Sequence, residues 1–403
     1  MIYRLIVILA GIIFIQISTV MQELKDIPEN NRNSGDNPGL KLFLCGDVMT
    51  GRGVDQVMPH SVNPRIYESY IKDARDYVRL AERKHGNIED PVSYDYIWGD
   101  AMEVWNSFDP VFKIINLETS VIEDGDPWPG KGIHYRMHPG NTRLLSTAGI
   151  DFCSLANNHV LDWGREGLSE TLQSLESEGI TTAGAGKNLS EARKPAVLSK
   201  NSHRVIVFSY GTPTSGVLRS WAATPEKPGI NLLNLDDKNA IDRINQKIQS
   251  IKQPGDVVVF SVHWGDNWGY GVPRRQQKFA RRLIDDGGVD IVHGHSSHHI
   301  RGIEVYKNKL IIYGAGDFLN DYEGISGHEQ YRDDLTLMYF PDIDPSSGKL
   351  LSMKMVPMQI RNFSLQHIEE NDAQWLLSTL NREVTMSGTH IELNEDGSFS
   401  LHW

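Results

Sequence analysis

Carboxylate, amide and imidazole side chains gather at the ends of short apolar runs in this chain. Gly46-Asp47 follows Leu40–Cys45, Asn116-Leu117-Glu118 closes Phe112–Ile115, and Ala156-Asn157-Asn158-His159 follows Asp151–Leu155. Farther on, His263-Trp264-Gly265 follows Asp256–Val262, and His293-Gly294-His295-Ser296-Ser297-His298-His299 follows Asp290–Val292. Imidazole and carboxylate are ligands for Zn, Mn, Fe or Ni, and a carboxylate can bridge two ions. Two such ions roughly 3.5–4 Å apart clamp a phosphoryl oxygen and make hydroxide at neutral pH. No thiolate stands at these run ends, which argues against a structural zinc site. Each element alone has a plainer explanation. Asp47 could be a turn residue, Asn157-Asn158-His159 a helix cap, and His263 a satisfied core histidine. Four histidines between His293 and His299 rarely serve packing. The joint order and placement of the set point to a metal site.

The elements that must position these residues read as alternating strands and helices. The runs named above, together with Arg204–Tyr210, are short, apolar and bounded by turn residues, and several carry β-branched side chains, as buried strands do. Helices are expected over Arg165–Glu178, Asp237–Ile251 and Arg274–Asp286, where Leu168/Leu172/Leu175, Ile241/Ile244/Ile248/Ile251 and Phe279/Leu283/Ile284 recur at helical spacing. The alternation predicts an α/β layered fold. In such sheets ligands bind at the carboxyl ends of strands, so five strands should deliver their polar residues to one sheet edge. The last third is strand-rich: Ile303–Tyr306, Leu310–Tyr313, Leu335–Tyr339 and Leu351–Met358, with a hairpin turn at Lys307-Asn308-Lys309. These late strands are expected to form a second sheet packed on the first. Residues 59–97 read as an insertion between the first two core strands, with a helix from Arg65 to Lys84.

At 403 residues the chain is long enough for one large or two medium domains. Its net charge is −12 and no Lys/Arg run appears, so no nucleic-acid partner is expected. An anionic ligand would have to be held locally, by metals or single arginines. Cys45 and Cys153 sit in apolar runs and read as small buried hydrophobes, not as a disulfide framework. Arg4 precedes an apolar stretch, Leu5 to Ile17, which is a little short for a span of about 20 residues. Residues 1–21 are therefore read as an export signal that can stay as an N-terminal anchor, and 22–38 as a flexible tether. This N-terminal segment would be the only membrane contact, and the folded domain, 39–403 with a β-rich part from about 303, would be extracytoplasmic.

Taken in order, Gly-Asp, an acidic residue, Asn-His, a lone His and Gly-His with a further His resemble the calcineurin-like metallophosphoesterases. The closer resemblance is to the CapA (capsule, poly-γ-glutamate synthesis) family. It is carried by Gly46-Asp47-Val48-Met49-Thr50-Gly51-Arg52, Asn116-Leu117-Glu118-Thr119, Ser154-Leu155-Ala156-Asn157-Asn158-His159, His263-Trp264-Gly265, Gly294-His295-Ser296-Ser297-His298 and Gly314-Ala315-Gly316-Asp317-Phe318. The resemblance implies a four-layer α/β/β/α sandwich and two divalent ions, Mn, Zn or Fe. Asp47, His295 and His298 would be ligands, Glu118 the bridging carboxylate, and Asn158 and His263 ligands of the second ion. His159 would be a general acid or stabilise developing charge. Asp317 would orient a histidine. Met49 stands where many metallophosphoesterases have a ligand histidine, Glu118 replaces an aspartate, and His295 and His298 are three apart instead of two. CapA-like sequences share these changes. Ser296-Ser297 stands where His-Pro is common in that family.

Arg52, five residues after Asp47, joins His159 as a catalytic candidate that would bind an anionic group, with a surface salt bridge as the other reading. Arg136 is a second anion candidate. Trp264 would wall the substrate site or pack in the core. The function expected is an exported, metal-dependent hydrolase or transferase on an anionic polymer or a phosphoester, acting beside membrane capsule-synthesis proteins. The alternatives are a non-catalytic, metal-dependent polymer-binding accessory and an intracellular nucleotide phosphodiesterase.

Overall fold

The computed structural model describes residues 39–384 and 388–403, so the expected signal and tether lie outside the described residues. Strand β1 (Leu40–Val48) shows how the sequence builds the layers. Leu40, Leu42 and Leu44 face one way and Phe43 and Cys45 the other, and both faces are buried. A strand buried on both faces reads as a continuous apolar run. Strands β2 (Phe112–Leu117), β3 (Phe152–Ser154) and β4 (Thr181–Ala183) continue from β1 in parallel. A second sheet holds β5 (Ala196–Lys200), β6 (His203–Gly211), β7 (Asp256–His263), β8 (Ile291–His295), β9 (Ile303–Tyr306) and β10 (Lys309–Ile312), in the order β9-β10-β8-β7-β6-β5.

Three apolar cores fix the stacking. The central one joins Leu42, Ile114 and Phe152 of the first sheet to Val207, Val259, Ile291 and Ile312 of the second. The opposite face of the first sheet meets α1 (Arg52–Val57), α2 (Arg75–His85), α3 (Ala101–Phe108) and α4 (Gly164–Ser177). The opposite face of the second sheet, with Ile206, Val258 and Phe260, meets α5 (Ala240–Gln249) and α6 (Arg274–Asp285). Helices thus cover the outer faces of two facing sheets. Cys45 and Cys153 are buried free thiols in the first-sheet helix core.

Two expectations require correction. The late strands do not make a sheet of their own. β9 and β10 extend the second sheet, whereas β11 (Asp317–Leu319), β12 (Leu335–Asp344), β13 (Lys349–Arg361), β14 (Ser364–His367), β15 (His390–Leu393) and β16 (Phe399–His402) join the first. β12 lies antiparallel on the free side of β1, a long-range pairing that strand periodicity does not encode. The same stretch contains a helix, α7 (Glu370–Glu383), which buries Ala373, Leu376 and Leu380 in the central core. Finally, the helix expected from Arg65 begins only at Arg75. Residues 64–74 fold back on themselves, with an Arg65–Asp73 bridge and Ala74 N–H donating to the Pro64 carbonyl at 2.7 Å. Glu68 on that loop is drawn inward to Arg52 and Tyr77.

Candidate metal centre

Strand register brings the polar residues together from two sheets, not from one edge. In the first sheet Asp47 stands opposite Asn116 of β2 on one side and Asp317 of β11 on the other. In the second, His263 stands opposite His295. The ends of β1 and β8 touch: His293 Nε2 donates to the Cys45 carbonyl at 2.7 Å, and Ser296 N–H donates to Asp47 Oδ2 at 3.0 Å. Gly46 is required at this junction, because a Cβ there would lie 1.6 Å from the Gly316 carbonyl oxygen. Ser296 takes a φ of 99°, a costly conformation for a non-glycine residue and one found at functional sites.

Two groups of donor atoms converge, each within 4.8 Å: Asp47, His263 and His295, and Asp47, Glu118 and Asp317. Asp47 belongs to both. Its Oδ1 is 3.8 Å from His263 Nδ1 and 3.7 Å from His295 Nδ1, and the two Nδ1 atoms are 2.8 Å apart. Glu118 Oε1 lies 3.8 Å from His263 Nε2, and Asn158 Oδ1 is 2.9 Å from the same nitrogen. A consistent proton pattern runs through these contacts. His263 Nε2–H can donate to Asn158, His295 Nδ1–H to His263 Nδ1, and the Ser261 hydroxyl to His295 Nε2 at 2.9 Å.

Burial decides the electrostatics. Asp47, Glu118 and Asp317 are all nearly inaccessible to solvent. Burial, then the charge of Asp317, pushes the Asp47 carboxyl up to about 8. Burial, then Asp47 and Asp317, raises Glu118 well above the carboxylate range. Burial pulls His263 and His295 well below the usual imidazole value, aided by His159 for the first and by His263 for the second. Alone, then, the cluster is forced towards neutral acids and neutral imidazoles. Divalent cations would supply the missing charge and use the same oxygen and nitrogen lone pairs, so the residues present fit such ions.

His298 stands beside this cluster and outside both groups of converging donors. Its Nδ1 is 2.9 Å from Asp317 Oδ1 and its Nε2 is 2.8 Å from Asn267 Nδ2. Burial opposes its charged form, but the charge and hydrogen bond of Asp317 outweigh this and raise its pKa. His159 Nε2 points to Glu118 Oε1 at 3.9 Å. Its Nδ1 is held by Asp162 Oδ2 at 2.6 Å and Lys131 Nζ at 3.1 Å, and the Tyr135 ring stacks on it at 3.8 Å. Lys131 also pairs with Asp162 and donates to the Asn158 carbonyl at 2.6 Å. Burial raises Asp162 to about 6 and lowers Lys131. Sequence reasoning missed both residues. The three-residue spacing from His159 marks Asp162, but Lys131, between Gly130 and Gly132, carries no local signal.

Three candidates from the sequence stand elsewhere. Arg52 is neither a free anion binder nor a surface pair. It is buried, ion-paired to Glu68 and Asp321, and packed over Tyr77 with its Cζ 3.9 Å from the ring centre. Two carboxylates already claim the guanidinium. Arg136 Nη2 donates to the Asn63 carbonyl at 2.9 Å, and its Cζ lies 3.9 Å over Trp163. Trp264 does not wall the site. The residue after His263 points to the other face of β7, so Trp264 packs in the α5–α6 core and donates to the Tyr313 carbonyl at 2.9 Å.

Comparison with known proteins gives four findings. The profile described as "Bacterial capsule synthesis protein PGA_cap" matches residues 41–322. A "probable polyglutamine synthesis accessory protein" of Mycobacterium tuberculosis is 42% identical over 365 residues, covering 90% of this chain and 96% of its own. The "PGA biosynthesis protein CapA" of Bacillus subtilis is 26% identical, covering 90% of this chain and 82% of its own. A solved phosphatase structure from Mycoplasma pneumoniae aligns over 82% of this chain and 95% of its own, at 12% identity and a TM-score of 0.42.

Proposed function

The chain belongs to the bacterial capsule synthesis protein family PGA_cap, and on that premise we propose that it acts outside the cytoplasm in making an anionic polymer of the poly-γ-glutamate kind. In this reading its buried cluster holds two divalent ions, Mn, Zn or Fe, for hydrolysis or transfer on that polymer or on a phosphoester, as in metallophosphoesterases. The observation that carries the reading is the place of Asp47 in both donor groups, which suits a carboxylate shared by two ions. His263 and His295 would complete one site, and Glu118 and Asp317 the other. Asn158, 2.9 Å from His263 Nε2, and His298, bound to Asp317, are the remaining ligand candidates. Bound ions would polarise a phosphoryl or carbonyl oxygen and lower the pKa of water.

The protein's own part is positioning and proton transfer. Asp162 and Lys131 fix the His159 ring through Nδ1, and Tyr135 fixes its plane, which leaves Nε2 aimed at the cluster. Burial, then the charge of Lys131, holds this ring well below the usual imidazole value, so its Nε2 would first take a proton from the attacking nucleophile and then pass it to a leaving group there. The apolar stretch after Arg4 supports export or anchoring, beside membrane proteins of capsule synthesis.

A second reading is a non-catalytic accessory that binds polymer through its metals. It is favoured by the word "accessory" in the name of the mycobacterial relative and by the burial of Asp47, His263 and His295. Incubating the metal-loaded protein with phosphomonoester, phosphodiester and γ-glutamyl polymer substrates separates the two. Turnover lost in His159→Ala supports catalysis. Polymer binding that tightens with metal, without turnover, supports the accessory role and overturns the enzyme.

A further inference from the structure

Strands β15 and β16 form an antiparallel hairpin at the edge of the first sheet, in a register that pairs His390 with His402, Ile391 with Leu401 and Glu392 with Ser400. Residues directly opposite each other share a face, with Cβ atoms about 4.5–5.5 Å apart, and a residue two along on that face reaches the diagonal. Ile391 and Leu401 turn inward to the central core. His390, Glu392 and His402 therefore share the outward face. The His390 and His402 rings stack with centroids 5.0 Å apart. His390 Nε2 is 3.0 Å from Glu392 Oε1, and His402 Nε2 is 3.4 Å from Oε2. The three donor atoms lie within 4.8 Å of one another.

We propose that His390, Glu392 and His402 form a surface site for one divalent transition ion of the zinc, nickel or copper class. Two imidazoles and one carboxylate suit such ions, whereas Mg and Ca prefer oxygen alone. Three protein ligands leave the remaining position to water. Without an ion, His390 Nε2–H donates to the carboxylate and His402 Nε2 stands 3.4 Å from it. With one, each ring carries its proton on Nδ1, the two Nε2 lone pairs turn to the ion, and Glu392 neutralises one unit of its charge. The side chains are roughly half exposed, 55% for His390, 59% for Glu392 and 46% for His402, so no burial penalty opposes binding.

The position gives the site a structural consequence. His390 opens β15 and His402 closes β16, so the pair spans the open end of the hairpin, away from its turn at 394–398. β16 pairs with β13 at Lys354–Ser400 and Met355–Phe399, and Asn381 of α7 bonds both backbone polar groups of Ile391. The β13 pairing holds β16 near the turn and Asn381 holds β15 beside His390, so an ion across His390 and His402 would tie the two strands to each other at that end.

The test compares the full-length protein with the double variant His390→Ala/His402→Ala, both equilibrated with zinc chloride at pH 7.5. Bound zinc is counted by elemental mass spectrometry, and hydrogen exchange is followed over residues 390–402. The expected result is one zinc more per chain in the wild type. With free zinc at about ten times its Kd, exchange in the hairpin should slow about tenfold in the wild type alone. Glu392→Gln, which keeps the side-chain shape, should give a partial loss of both effects. Equal zinc counts in wild type and double variant, or hairpin exchange that zinc does not change, would overturn the site.

Discussion

The molecule carries two clusters of the same donor types in opposite surroundings. Asp47, His263 and His295 are sealed from solvent between two sheets, whereas His390, Glu392 and His402 lie in water on an edge hairpin. In the sealed cluster, burial, aided by neighbouring charges, drives the Asp47 carboxyl up and the His263 and His295 imidazoles down, so its donors are costly to hold without cations. On the hairpin, water satisfies the same groups, and an ion there is an addition, not a necessity. The contrast teaches that ligand type says what can bind, while burial says how far the fold depends on binding.

The largest effect expected from this contrast concerns chemistry. His159→Ala should lower turnover by roughly 10²–10⁴-fold if His159 transfers a proton, with the metal content unchanged. Steady-state kinetics beside elemental analysis would check it, and an equal loss of metal would reassign His159 to ion binding. The next effect is on stability. Stripping ions with a chelator at pH 7.5 should cost about 3 kcal/mol for a buried ion present at about 100 times its Kd. Urea unfolding reads this cost, and the His390→Ala/His402→Ala variant should lose nearly as much as the wild type, because the loss comes from the sealed cluster.

A pH test is smaller in slope but sharper in assignment. In the chelated protein Asp47 holds its proton up to about 8 when folded, against an ordinary value of 3.8. Between those limits Asp47 binds more protons in the folded state than in the unfolded one, so its contribution to stability is greatest at the acid end and falls as pH rises; His263 and His295 act the opposite way below about 6.5, so the slope is read above that pH. The slope approaches about 1.4 kcal/mol per pH unit at most. Asp47→Asn should flatten it, and an unchanged slope in that variant would break the assignment. The smallest effect belongs to the hairpin. His402→Ala should shift metal-free stability by no more than about 0.5 kcal/mol, as for other surface changes.

The meeting of Asp47, Glu118, His263 and His295 was legible in the sequence because strand ends concentrate polar residues in α/β folds, and each ligand candidate follows an apolar run. What stayed hidden depended on partners far along the chain. Arg52 looks free until Glu68 and Asp321 are seen to claim it, and Asp321 is 269 residues away. Trp264 follows a candidate ligand directly, but strand alternation sends it to the opposite face. The fate of the late strands depended on which sheet edge was open, and β1 offered one to β12. Lys131 acts through a loop with no periodicity to mark it. The pairing of His390 with His402 needed the register of a hairpin, which residue spacing alone does not specify.

The central claim is that the sealed cluster holds metal through Asp47. Its most direct test is the metal content of the purified protein in the His390→Ala/His402→Ala background, alone and with Asp47→Ala or His263→Ala added. About two divalent ions per chain, falling in both added variants, is the result predicted from a shared Asp47. No bound ion after incubation with Mn or Zn, or a content that neither substitution changes, would contradict it.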